Sequence, residues 1–134
     1  MVQLDKRSSS RRTIERVRKL RFDRLVSEAL RGLPPHIAAM LQNVDVVVEN
    51  EPSARQLADL DEGDTLFGYY EGVPQTERAG YNFALPDKIT IFRGPLEREC
   101  DDDAEIAREV QITVLHEIAH HFGFDEDQVA DLGL

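Results

Sequence analysis

The chain has 134 residues, 41% of them hydrophobic and 31% charged, with no Trp and one cysteine. That length and composition suit one compact domain whose core leans on Leu, Ile, Val and a few Phe and Tyr. They exclude an intrachain disulfide and a thiolate zinc cluster, because Cys100 has no second thiol in the chain. The net charge of −10 is uneven: residues 1–21 hold eight Lys/Arg against Asp5 and Glu15, a net +6, which leaves −16 for residues 22–134. An acidic body argues against nucleic acid as a partner, and the basic segment 1–21 reads as a solvated arm leading into a first helix. No apolar stretch approaches the ~20 residues that span a bilayer, and the N-terminal residues lack the apolar core of a signal peptide, so a cytoplasmic location is expected.

Ser8, Ser9 and Ser10 read as unstructured. From about Thr13, apolar residues Val17, Phe22, Leu25, Val26, Ala29 and Leu30 fall largely at helical spacing, until Gly32 and Pro34-Pro35 stop the helix. Pro35 suits a first helical turn and opens a second short helix to about Leu41, with His36 exposed at its start. The Val-rich run Val44 to Glu49 predicts a strand closed by Asn50-Glu51-Pro52, and a brief helix follows over Ser53 to Leu60.

After the turn Asp61-Glu62-Gly63-Asp64, the aromatic run Thr65 to Glu71 predicts a second strand, and residues 72–86 read as loop. Asp87 to Phe92 alternates as a third strand, Ile89 and Ile91 on one face, Lys88 and Thr90 on the other. One helical turn is expected over Pro95 to Glu99. Asp101-Asp102-Asp103 then supplies an N-cap and favourable charge for a long helix from about Ala104 to His121, with Ile106, Val110, Val114, Leu115 and Ile118 facing the core. Gly123 ends it, and a short helix over about Glu126 to Leu132 closes the order. The expected class is α+β, a short mixed sheet of three to four strands packed against an N-terminal helix and the long helix.

The chemistry lies in that helix. His116 and His120, four residues apart, stand one turn above each other and can aim two imidazoles at one point, as a tetrahedral zinc requires. Glu117 is turned about 100° from His116 around the helix, which suits a general base taking a proton from a zinc-activated water rather than a ligand. His121 faces elsewhere; packing, a carboxylate partner and solvent are its open alternatives.

The motif continues as His-Glu-x-x-His-x-x-Gly, and Gly123 allows the chain to turn sharply and bring a downstream carboxylate back. Glu126, ten residues after His116, is the first candidate for the third metal ligand. Asp125 and Asp127 flank it and could substitute. The competing reading makes Asp125 a helix cap and Glu126 part of an acidic first turn. For a developing oxyanion the available donors are Tyr69, Tyr70 and Tyr81, against the plainer reading that Tyr69 and Tyr70 pack and decorate a strand. An exposed sheet edge near the helix would let a peptide add as an extra strand.

The segment Thr113-Val114-Leu115-His116-Glu117-Ile118-Ala119-His120-His121-Phe122-Gly123 resembles the active helix of a family of small bacterial zincin-like proteins, the minimal metalloproteases. The resemblance extends to Leu33-Pro34-Pro35, Val44 to Pro52, Gly68-Tyr69-Tyr70-Glu71-Gly72-Val73-Pro74 with Thr76-Glu77-Arg78, and Leu85 to Arg93, and so covers about residues 22–134. It implies a zincin-like metallopeptidase domain over 22–134 whose helix binds Zn2+. The family usually has Asp in the third-ligand slot, so Glu126 is a conservative departure. The signature is also similar to that of metzincins, whose methionine turn lies downstream; both methionines here, Met1 and Met40, lie upstream.

The expected function is a zinc-dependent metallopeptidase acting on peptide or protein substrates, with Glu117 as catalytic base and His116, His120 and Glu126 on the metal. The alternative is a non-catalytic zinc-binding or protein-interaction module on the same scaffold. A regulator that holds nucleic acid through the basic arm is the third. Nothing in the sequence specifies an oligomeric state.

Overall fold

The computed structural model describes residues 6–60, 66–72 and 86–123, together with Asp127 and Asp131. The helices are α1 (Lys6–Arg31), α2 (Pro35–Met40), α3 (Ala54–Ala58), α4 (Arg93–Glu99) and α5 (Asp103–His121), and the strands are β1 (Val44–Glu49), β2 (Gly68–Glu71) and β3 (Asp87–Phe92). The sheet has the order β1-β3-β2, with β1 parallel to β3 in the register Val44↔Asp87 to Glu49↔Phe92. β2 runs antiparallel to β3, pairing Gly68↔Ile91 to Glu71↔Lys88. This is the α+β arrangement that the hydrophobic periodicity predicts, a mixed three-stranded sheet with α1 and α5 packed on it.

The core is contributed by one stripe of each element. Phe22, Val26 and Ala29 of α1 meet Ile106, Val110, Val114 and Ile118 of α5, and Ile89 and Ile91 of β3 close the layer beneath them. The α1 set recurs at four- and three-residue spacing and the α5 set at four, so each helix presents one apolar face. Gln111 Nε2 donates to the Ala29 carbonyl at 2.9 Å and stitches the middle of α5 to the end of α1.

Local signals start and stop the elements. Asp102 caps α5, accepting a hydrogen bond from the Glu105 amide at 2.8 Å, while Glu105 accepts from the Asp101 amide at 3.0 Å. Ser53 and Gln56 form a reciprocal capping box on α3. Gly123 leaves α5 with φ +73°, a left-handed conformation that costs glycine least.

Three expectations change. Helix α1 begins at Lys6, so Ser8 to Ser10 are helical rather than unstructured. Glu15 pairs with Arg93 and Arg21 with Asp103, and these ion pairs tie α1 to α4 and α5. Second, β2 begins at Gly68 because Leu66 and Phe67 form a turn. Third, Thr90 is fully buried rather than outward-facing, since β3 is the central strand and is covered on both faces. Of the short helix expected near the end of the chain, Asp127 and Asp131 are described, and both are helical. Among the described residues no helix is long and apolar enough to cross a membrane.

Candidate metal centre

The C-terminal two turns of α5 carry the motif. His116 and His120 are exposed, whereas Glu117 between them is buried, only 7% exposed. This follows from helical geometry: positions 116 and 120 share the row that α5 turns to solvent, and position 117 lies on the adjoining row with Thr113 and His121. That second row packs along β2. Gly68 faces Thr113 so closely that a side chain there would overlap the Thr113 methyl, and a Cβ on Gly72 would come within 3.6 Å of the His121 ring.

Tyr70 lies between those two glycines on the same side of β2, and its ring stacks on His121 with centroids 4.1 Å apart and planes 18° from parallel. The Tyr70 hydroxyl donates to Asp87 Oδ2 at 2.7 Å, and His121 Nε2 stands 3.5 Å from the same oxygen. Asp87, the first residue of β3, is 8% exposed. A carboxylate so far from water is tolerable only with partners of this kind. His121, whose surroundings the sequence leaves open, therefore packs and meets a carboxylate at once.

This cluster is the part of the site that motif reading misses. Its signal is a two-residue alternation, Gly68-x-Tyr70-x-Gly72, opposite the four-residue row Thr113, Glu117, His121. Small residues at either end let the strand approach the helix, and the aromatic in the middle reaches its last turn.

The two tyrosines of β2 do not present their hydroxyls to a substrate. Tyr70 is engaged by Asp87, and Tyr69 donates to Asp59 Oδ2 at 3.0 Å, where burial and that carboxylate push its pKa up. Tyr81 lies outside the described residues, as do Glu126 and Asp125; Asp127 is exposed. Among the described residues no group of three His, Cys, Asp or Glu side chains is gathered for a metal.

The donor chemistry at the helix end nevertheless fits zinc: two solvent-facing imidazoles one turn apart, with a carboxylate adjoining them rather than competing for the ion. Cys100 offers no rival. Its thiol is pushed up to about 11 by burial, then by Glu105, Glu109, Asp101 and Asp102, so it stays protonated near neutral pH. Two surface hollows lie away from the motif, one among α1, α4 and α5 beside Arg18, Phe22 and Ile106, the other among α1, α2 and β1 beside Leu30, Leu41 and Val46.

Residues 41–134, more than half the chain and including the entire motif, match the sequence profile of the zincin-like metallopeptidase family. The chain belongs to that family. Among solved structures, a conserved hypothetical protein from Thermus thermophilus is similar at 25% identity and a TM-score of 0.48, over 78% of this chain and 94% of that one. No curated protein sequence matches.

Proposed function

We propose that the chain is a zinc-dependent metallopeptidase in which His116, His120 and Glu126 hold the metal and Glu117 is the general base. The observation that carries this reading is the division of labour on α5: two exposed imidazoles at helical spacing, and between them a buried carboxylate on the row that packs against the sheet. A surface His pair on an ordinary amphipathic helix does not call for a buried glutamate beside it.

The chemistry zinc supplies when bound is Lewis acidity, which polarises a peptide carbonyl and makes water a competent nucleophile near neutral pH. Glu117 accepts the proton given up by the attacking water and passes it to the amine nitrogen as the C–N bond breaks. The substrate lies along β2, which is an edge of the sheet among the described residues and the strand in closest contact with α5. An extended peptide adds there as a further strand beside β2. With Tyr69 and Tyr70 committed to carboxylates, Tyr81 is the tyrosine proposed to steady the developing oxyanion.

Hydrolysis of fluorescent casein by the wild type and by Glu117→Gln tests this reading. The variant is expected to keep its zinc and lose roughly 10²- to 10⁴-fold in rate. Equal hydrolysis by both would remove Glu117 from the mechanism.

A further inference from the structure

His120 occupies an exposed place for a metal ligand, the penultimate residue of its helix. His116 is held by hydrogen bonds on both sides along α5, but the turn carrying His120 is the last one. Beyond it, among the described residues, Phe122 N–H to the Ile118 carbonyl at 2.9 Å and Gly123 N–H to the His120 carbonyl at 3.3 Å continue the ladder. Last turns fray, and their local stability comes from whatever they pack on. Ile118 and Ala119 anchor the inner face of that turn in the core, and at its very end His121 stacks on Tyr70, with Asp87 fixing the Tyr70 hydroxyl and approaching His121 Nε2.

We propose that Tyr70 and Asp87 act through His121 as a clamp on the last turn of α5, holding His120 in constant relation to His116 and to the β2 edge. All three are positioning residues; none needs to touch the metal or the substrate. The proposal rests on the reading of His116 and His120 as metal ligands and deepens it. Rigid attachment of the second ligand to the substrate strand would make metal binding and peptide placement depend on one cluster. Two features of the arrangement support a clamp over incidental surface packing. The stack is nearly parallel and close, and Asp87 is buried at the end of the central strand, so the anchor belongs to the most tightly held element of the sheet.

The test compares the wild type with His121→Ala and His121→Phe, using His36→Ala as a distant control. The first readout is amide hydrogen exchange at Phe122 in the metal-free chain. Alanine is the better helix former, so propensity alone would slow exchange in His121→Ala. The clamp predicts the opposite, exchange faster by roughly tenfold through easier opening of the last turn, with most protection restored in His121→Phe, which keeps the ring stack. The second readout is Co(II) binding followed by its visible absorption. His121→Ala is expected to bind about tenfold more weakly with an altered spectrum, as loss of groups supporting a ligand commonly does, and His121→Phe to bind more tightly than His121→Ala. Unchanged or slower exchange at Phe122, or Co(II) affinity and spectrum unmoved in His121→Ala, would overturn the clamp. Failure of the wild type itself to bind Co(II) is a separate result: it removes the metal reading, and the exchange readout still decides whether His121 secures the helix end.

Discussion

Gly68 on β2 lies against Thr113 on α5 with no room for a side chain between them: a Cβ on Gly68 would overlap the Thr113 methyl and stand 3.3 Å from the Thr90 carbonyl oxygen. One turn further along α5 comes Glu117, and one more brings His121 beneath Tyr70. The close approach of strand to helix at Gly68 thus sets how near the sheet edge comes to the proposed general base.

Gly68→Ala is accordingly expected to destabilise the chain by about 1–3 kcal/mol through overpacking, and to lower proposed hydrolysis by displacing β2. Because the obstacle is a stiff β-branched side chain, Thr113→Ala should recover part of the loss, a coupling on the order of 1 kcal/mol. Urea denaturation of the two single variants and the double variant measures this directly. Additive losses would show that the two positions do not share the contact.

Thr90 is fully buried on the central strand, and its hydroxyl has no hydrogen-bond partner among the described residues. An unpaired buried hydroxyl is a liability, so replacing it by a methyl of similar shape removes a desolvation penalty. Thr90→Val is expected to raise stability by about 1 kcal/mol in chemical denaturation. A loss of stability would mean that the hydroxyl is satisfied, for example by an ordered water.

The Glu15–Arg93 pair joins the first half of α1 to α4. Hydrogen bonding from Arg93 holds the Glu15 carboxyl below its ordinary value of 4.5. The pair's contribution is therefore present above that value and is lost as the pH falls below it and through the lowered folded value. Thermal unfolding of wild type and Glu15→Gln should differ at pH 7, with the wild type higher, and converge below pH 4.5. A difference independent of pH would assign the effect to packing of the side chain rather than to its charge.

The elements most legible in the sequence are those whose patterning is local. β1 and β3 fall where the Val run and the Ile alternation put them, and α5 where its aspartate cap and apolar spacing do. The His-Glu-x-x-His spacing is likewise complete within five residues of one helix. What escapes is set by contacts distant in sequence. The ion pairs that fasten α1 join Glu15 and Arg21 to partners 78 and 82 residues away. Thr90 looks like a solvent-facing residue until β3 is known to be central. His121 gains a role only when Tyr70 and Asp87 arrive from two different strands.

The most direct test of the central claim is elemental analysis of the purified protein and of His120→Ala, after exposure to zinc and removal of excess metal. The account predicts one tightly held zinc per wild-type chain and its loss in a His120→Ala variant that remains folded. A folded wild-type chain that holds no zinc, or a His120→Ala variant that holds as much, would contradict it and return His116 and His120 to the surface of an ordinary helix.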